Sequence, residues 1–164
     1  MDFPEKDSAD PESAKTLNRF NYDGAKGNAC PLAAHIRKTN QRKPRDLNEK
    51  STFQTRIIRS GITYGSEFDE SDEKRREKRG LLFACYQSSI EKGFKFIQSN
   101  WSNDANFPTS GAGHDPIIGQ TPNHELSMNL GGPPISFKEM VTLKGGEYFF
   151  VPSIKALREK LGQD

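Results

Sequence analysis

A change of hydrophobic period near the middle of this 164-residue chain constrains its fold more than any other sequence feature. Gly80 is followed by the unbroken apolar and aromatic run LLFACY, which is typical of a buried β-strand. Beyond this run the apolar residues recur at steps of three and four, which predicts a helix over 88–101 with a serine at its start. A strand followed directly by an amphipathic helix indicates that the helix packs against a sheet. The apolar positions of the helix are Ile90, Phe94, Ile97 and Trp101.

Weaker patterns on either side predict the remaining elements. They indicate a strand at 55–59, a hairpin with strands at 141–143 and 147–151, and a C-terminal helix at 153–161. The apolar cluster at 30–38 is too short for a helix of several turns and is interpreted as a site-bearing loop or a short helical turn. Helices packed on one face of an antiparallel sheet make an α+β fold, which is the fold class that we expect.

Polar segments separate these elements. Residues 1–29 contain few large apolar side chains, so they bury too little surface to offset the entropy of ordering. We interpret them as a mobile lead-in to a domain over 30–164. Residues 66–79 carry six acidic and five basic side chains, which is typical of an exposed loop or a fraying helix. Residues 102–134 are rich in Asn, Gly and Pro, and a loop of this length indicates a functional role.

Charge, hydropathy and cysteine content argue against several classes of function. The formal net charge is +2, far from the basic excess of a dedicated nucleic-acid binder. No apolar run approaches the roughly 18–20 residues of a membrane-spanning helix, and the first residues lack the basic start and apolar stretch of a signal peptide. Cys30 and Cys85 do not make a disulfide framework and lack the CxxC spacing of a zinc site. We therefore expect no nucleic-acid partner, no membrane and no structural zinc.

The three histidines, His35, His114 and His124, are too far apart in sequence for a metal cluster of short spacing. Spacing alone is compatible with His35 as an ordinary polar surface residue. The second interpretation is an axial haem ligand, because haem needs an imidazole, an apolar slot and cationic or hydrogen-bonding groups for its propionates. The residues available to bind the propionates are Arg37, Lys38, Asn40 and Arg42.

Five ordered blocks of the sequence resemble the fungal dye-decolourising peroxidases, and the resemblance covers about residues 28–158. It implies a haem peroxidase built from two ferredoxin-like halves, each a four-stranded antiparallel sheet with peripheral helices. It also implies that haem b is held by the C-terminal half, which is the half that this chain matches. The blocks are CPLAAHIRKTN, RIIRSGITYG, RGLLFACYQSSIEKGFKFIQ, GHDPIIGQ and GGEYFFVPSI.

The resemblance implies roles for residues in the first three blocks. His35 matches the proximal iron ligand, and Arg59 matches the distal arginine, whose permanent charge stabilises the negative charge that develops as the O–O bond of peroxide breaks. Arg56 is the competing arginine, and its alternatives are a propionate contact or a place on the surface. Leu81 and Phe83 are two residues apart, so a strand points both to one face. The resemblance implies that this face borders the distal haem pocket, and ordinary core packing is the alternative.

Residues of the later blocks have two interpretations each. Asp115 is a candidate for the carboxylate that orients the ligating imidazole, and a plain Asp-Pro turn is the alternative. His114 and His124 are interpreted as loop surface residues. The resemblance implies that Trp101, together with Tyr64, forms a surface relay for electrons from bulky substrates, with core packing as the alternative for Trp101.

The sequence departs from the family at one catalytic motif. The family's distal acid lies in a GxxDG motif of the N-terminal half, whereas these 164 residues contain only Asp23-Gly24 without the leading glycine. We therefore expect a haem peroxidase that uses hydrogen peroxide to oxidise dyes and phenolic or other aromatic substrates, complete only with a separate N-terminal half. The alternative is a non-catalytic haem-binding or orphan fragment of such an enzyme.

Overall fold

The computed structural model of the chain has an α+β fold with antiparallel sheets and short helices, as the sequence predicts. It describes residues 22, 27, 30–41, 54–69, 78–130 and 132–162. The predicted lead-in over 1–29 lies outside these ranges except for residues 22 and 27, and so does Arg42. Within the described ranges, no helix combines the length and the apolar character that crossing a bilayer requires.

The first sheet is an antiparallel pair of strands, β1 (Ile58–Tyr64) and β2 (Gly80–Tyr86). We call this pair the ribbon. Strand β2 lies where the apolar run predicts it. Strand β1 begins three residues later than the start of the predicted strand at 55–59 and continues to Tyr64. The pairing with β2 explains the difference, because it runs without a break through Gly61, a residue that local propensity treats as an interruption.

Helix α1 (His35–Thr39) has five residues and confirms the short helical turn expected near 30–38. Helix α2 (Phe94–Phe96) continues without interruption as a π-helical segment, π1 (Ile97–Ser102). The predicted helix over 88–101 is therefore correct in its C-terminal part only.

The late start of α2 has a side-chain cause. Ser89 caps as predicted, because its Oγ accepts a hydrogen bond from the Lys92 backbone N–H at 3.3 Å, but the residues that follow form a turn. The side chain of Gln87 then crosses to the helix end, where its Oε1 accepts a hydrogen bond from the Phe94 N–H at 2.7 Å. A Cβ at Gly93 would collide with the Gln87 amide, so any other residue there would displace the side chain that caps α2.

The second sheet is a hairpin of β3 (Glu125–Met128) and β4 (Ile135–Lys138). The prediction of a hairpin over 141–151 is wrong, because the structure assigns neither strand nor helix to these residues. The alternation in that segment is a local signal, whereas strand pairing depends on burial against the rest of the chain. Leu126 provides that burial for β3, since its side chain is 1% exposed.

The C-terminal helix is found where the sequence places it. It consists of α3 (Ile154–Ala156) and a second π-helical segment, π2 (Leu157–Leu161). The Ser153 Oγ accepts a hydrogen bond from the Ala156 N–H at 3.1 Å and thereby caps the first turn.

The buried core lies between α1, π1 and the segment that leads into β3. Trp101 occupies its centre with 2% exposure, stacked on Phe107 at a centroid distance of 5.2 Å and edge-on to Phe96 at 5.5 Å. Offset-stacked and edge-to-face aromatic pairs of this kind contribute stability beyond the area that they bury. The buried apolar residues are Ala33, Ile97, Trp101, Ala112 and Leu126.

Candidate functional site

The structure brings His35 and Asp115 together although 80 residues separate them in sequence. Nδ1 of His35 lies 2.8 Å from Oδ2 of Asp115. An ionised carboxylate only accepts hydrogen bonds, so the imidazole donates from Nδ1, and the neutral ring then carries its lone pair on Nε2. The His35 side chain is 38% exposed, whereas the Asp115 side chain is fully buried. The result is a half-exposed imidazole with a buried acceptor at Nδ1 and, among the described residues, no hydrogen-bond partner at Nε2.

Local backbone structure fixes the Asp115 carboxylate. Its Oδ1 accepts hydrogen bonds from the N–H groups of Ile117 at 2.9 Å and Ile118 at 3.1 Å, which is the turn geometry favoured by Asp-Pro. The Asp115 N–H donates to the Ser102 carbonyl at 2.9 Å, which ties the turn to the end of π1. Gly119 closes the turn, because a Cβ there would lie 2.5 Å from the Asp115 carbonyl oxygen. The two sequence interpretations of Asp115 are therefore compatible, since one oxygen builds the turn and the other faces His35.

The other two histidines differ from His35 in chemistry or in exposure. Nδ1 of His114 accepts a hydrogen bond from the Ser127 N–H at 3.1 Å, so its neutral ring carries the proton on Nε2. Burial and the nearby charge of Lys38 lower the pKa of His114, which favours that neutral form. His124 lies 2.8 Å from Glu139, but its side chain is 74% exposed in a loop. This hydrogen bond and one from a backbone N–H hold the pKa of Glu139 below its ordinary value.

The basic residues after His35 point inward. Lys38 is fully buried, and its Nζ donates hydrogen bonds to the carbonyl oxygens of Asp104 at 2.6 Å and Gly113 at 2.5 Å. This position removes Lys38 from the residues available to a haem propionate. Arg37 is 3% exposed and donates from its guanidinium to the Cys30 carbonyl at 2.7 Å. The residues His35, Lys38, Trp101, Ser102 and Asp115 form what we call the anchored cluster.

The ribbon brings together the residues predicted for the distal side. Its register pairs Arg59 with Cys85, Gly61 with Phe83 and Thr63 with Leu81. Residues directly opposite each other in an antiparallel pair share a face, so Arg59, Leu81 and Phe83 lie on one face of the ribbon. Leu81 is 54% exposed and Phe83 is 41% exposed.

Tyr64 and Trp101 do not form a joint surface pair. Tyr64 lies on the opposite face of the ribbon from Arg59, with 54% of its surface exposed. Trp101 is buried at 2% exposure and takes part in the aromatic core, which was the alternative to the surface relay. The prediction of Trp101 as a surface residue is therefore corrected, because its ring stacks on Phe107. Any role of these rings in electron transfer stays a prediction.

A family model described as Dyp-type peroxidase, C-terminal, matches residues 6–108, which is more than half of the chain. The chain belongs to the Dyp-type peroxidase family. Proteins of this family depend on haem, and the family membership agrees with the α+β fold and with the sequence resemblance. The match ends before Asp115, so the structure, not the family model, relates Asp115 to His35.

The chain is similar to fungal dye-decolorizing peroxidases over most of its length. It is 42% identical to a dye-decolorizing peroxidase of Exidia glandulosa over 80% of this chain and 28% of that protein. It is 40% identical to Peroxidase 2 of Mycetinis scorodonius over 80% of this chain and 30% of that protein. An ancestral D-type dye decolorizing peroxidase of known structure superposes with a TM-score of 0.78 and 42% identity, over 92% of this chain and 38% of that one. The chain therefore spans about a third of the length of these relatives.

Sequence reasoning assigned Lys38 to the wrong environment. A lysine is almost never fully buried without a partner, so composition and spacing gave no reason to expect it inside. The one available signal was its position three residues after His35, which places both side chains on the same side of a helix.

Proposed function

We propose that this chain provides the haem-binding C-terminal part of a dye-decolourising peroxidase, with Nε2 of His35 as the axial ligand of haem b. The observation that carries the proposal is the 2.8 Å contact between His35 Nδ1 and the buried Asp115 carboxylate. A carboxylate on one ring nitrogen fixes the tautomer and raises the basicity of the other nitrogen, as in most metal-ligating histidines. The residues present therefore fit the cofactor on which the family depends.

Arg59, Leu81 and Phe83 are proposed to line the distal side. Their common face on the ribbon supports this assignment. The Arg59 guanidinium keeps its charge at every relevant pH and can stabilise negative charge that develops on a peroxide oxygen. The two apolar side chains, which are 54% and 41% exposed in this structure, would exclude water around that charge once the face is covered. Bound haem would supply the redox chemistry, in which hydrogen peroxide is reduced and a dye or phenolic substrate is oxidised.

Arg37 and Arg42 are proposed for the propionates. The Arg37 guanidinium has five N–H donors, so the hydrogen bond to the Cys30 carbonyl at 2.7 Å does not by itself exclude a propionate. Arg42 lies outside the described residues.

The residues proposed for the distal side include no group that can transfer the proton of peroxide. Arginine does not shuttle a peroxide proton, because its pKa is above about 12. A positioned carboxylate contributes about 10²–10⁴ in rate, and the GxxDG motif that carries it in the family is not in this sequence. We therefore propose that an N-terminal half of the family type supplies the acid-base carboxylate.

Titration of the purified chain with hemin tests the haem proposal. The wild-type chain should bind hemin stoichiometrically with a Soret band typical of a histidine-ligated haem. His35→Ala should abolish this specific spectrum, because Nδ1 of His114 is already an acceptor and His124 is on the surface. His124→Ala is the matched control, since it removes the other histidine that faces a carboxylate at 2.8 Å. A parental spectrum in His35→Ala would rule out the assignment of the ligand.

Stopped-flow absorbance after mixing with hydrogen peroxide separates the peroxidase from the non-catalytic fragment. The hemin-loaded chain alone should react slowly, and addition of a family N-terminal half that carries GxxDG should raise the rate by about 10²–10⁴. No acceleration at saturating concentrations of that half would favour a haem-binding fragment without turnover. Fast reaction of the chain alone would mean that a local acid such as Asp69 replaces the distal carboxylate, because Asp115 is buried behind His35.

A further inference from the structure

Among the residues that the structure describes, Lys38 is the largest side chain that is completely buried. Its Nζ reaches the backbone carbonyls of Asp104 and Gly113, which belong to a segment more than 60 residues away in sequence. Burial lowers the pKa of Lys38 to about 8, while the carboxylates of Asp104 and Asp115 act in the opposite direction. A neutral amine still has two N–H donors, so both carbonyls remain satisfied in either protonation state.

The position of these carbonyls relates Lys38 to the histidine site. Gly113 lies two residues before Asp115, and Lys38 lies three residues after His35. The same helical turn therefore makes two attachments to the same distant segment, one from the imidazole to Asp115 and one from the ammonium to the backbone beside it. Side chains three residues apart lie on the same side of a helix, which makes both attachments possible at once.

Helix α1 needs such an attachment. It contains five residues, and Ala34 at its N-terminus gives no side-chain cap. An isolated helix of this length is not stable in water, so tertiary contacts determine where its side chains lie. The hydrogen bond from Thr39 Oγ1 to the His35 carbonyl, at 2.8 Å, is internal to the helix and does not orient it.

We propose that Lys38 is a positioning residue for the His35–Asp115 pair: by holding the Asp104 and Gly113 carbonyls, it sets the distance between α1 and the turn that carries Asp115. The purpose of the pair rests on the proposed function. The inference adds to it a residue, Lys38, that touches neither nitrogen of the imidazole. If Lys38 only stabilised the core, its replacement would lower the stability of the fold but leave the tautomer of His35 unchanged.

The test reads the His35 tautomer in the chain without haem. Long-range ¹H–¹⁵N NMR distinguishes a proton on Nδ1 from one on Nε2, and His35→Ala assigns the signal. The wild-type chain should show the Nδ1–H form, and Asp115→Asn should lose it. Lys38→Met keeps a side chain as long as the four-carbon stem of lysine but has no N–H donor. It should lower the population of the Nδ1–H form to the level of Asp115→Asn, and the double variant should lower it no further.

Lys155→Met is the matched control, because its side chain is 80% exposed and it should retain the wild-type tautomer. A Lys38→Met chain that is folded, even if less stable, and keeps the Nδ1–H form would overturn the proposal. If Lys38→Met does not fold, Lys38→Gln keeps two N–H donors on a shorter side chain and should give a tautomer population between wild type and Asp115→Asn. A wild-type population in that variant, or failure of both variants to fold, would show that Lys38 serves the fold as a whole.

Because no haem is present, this result is independent of the hemin titration. If the wild-type chain did not bind hemin, the proposed function would be wrong, but the Lys38 result would still hold. If Lys38→Met kept the Nδ1–H form of the wild type, the inference would be wrong, but the assignment of His35 as the axial ligand would still hold.

Discussion

The anchored cluster and the ribbon carry the two proposed sides of one haem site, yet they differ in almost every physical respect. In the cluster, Asp115 and Lys38 are fully buried, and each of their polar ends has a defined hydrogen-bond partner. In the ribbon, both faces of β1 and β2 are largely exposed, and its large apolar side chains have 41–75% exposure. The residues proposed for the proximal side are therefore fixed by contacts within the described part of the chain, whereas those proposed for the distal side lie on an exposed face.

The largest effect on stability should come from Trp101→Ala in the anchored cluster. Removal of a buried aromatic ring costs about 3–5 kcal/mol of unfolding free energy, and here it also deletes the stack on Phe107. Denaturant unfolding followed by far-UV circular dichroism measures the loss. Phe150→Ala is the control, because that ring is 89% exposed and its loss should change stability by less than about 0.5 kcal/mol. Equal losses of unfolding free energy in the two variants would contradict the view that Trp101 is packed in a core and Phe150 is not.

The pH dependence of stability should report the burial of Lys38. Its pKa in the folded chain, about 8, lies below the ordinary value of 10.5, so the unfolded chain holds more protons between these values. The unfolding free energy contributed by this group should therefore rise as pH increases from about 8 to about 10.5, by at most about 3 kcal/mol.

Urea unfolding at several pH values gives this contribution as the difference between the wild-type chain and Lys38→Met. Lys155→Met should follow the wild-type curve, because its side chain is exposed. A difference that is flat with pH would mean that the Lys38 ammonium is solvated in the folded chain.

Asp115→Asn should weaken hemin binding without abolishing it. Loss of a carboxylate that orients a metal-ligating histidine typically costs 10–100-fold in affinity. The amide can still accept hydrogen bonds from Ile117 and Ile118, so the turn should survive. Hemin titration at constant pH measures the change, and Glu139→Gln, at the exposed His124, should bind hemin like the wild type. If Asp115→Asn bound hemin with unchanged affinity, the buried carboxylate would have no role in haem binding.

The smallest effect should come from Leu82→Ser in the ribbon. Leu82 is 65% exposed on the face opposite to Leu81 and Phe83, so its replacement in the isolated chain should change the unfolding free energy by less than about 0.5 kcal/mol. Thermal or urea unfolding of the two chains checks this. A loss above about 1 kcal/mol would contradict the exposed position of Leu82.

Elements defined by local signals were predictable from the sequence, and contacts between distant residues were not. The apolar run of β2 and the serine cap of α3 both lie where the sequence indicates. The hairpin was misplaced, because the alternation after residue 140 is as regular as that of β3 and only the burial of Leu126 decides between them. The approach of Asp115 to His35 was suggested by the family resemblance, since nothing in the spacing joins residues 80 positions apart.

The backbone conformation of Gly113, next to the anchored cluster, limits which substitutions the chain can tolerate. Its φ of +98° is rare for residues with a side chain, and an added Cβ would lie 2.4 Å from Cα of Met128. Every missense change at this codon introduces that collision directly beside the carbonyl that Lys38 holds. At Gly132 and Gly146 an added Cβ meets nothing within 4 Å. Variants of this chain that circulate in a population, or survive in a mutagenesis library, should therefore accumulate at these two open glycines and be missing at position 113.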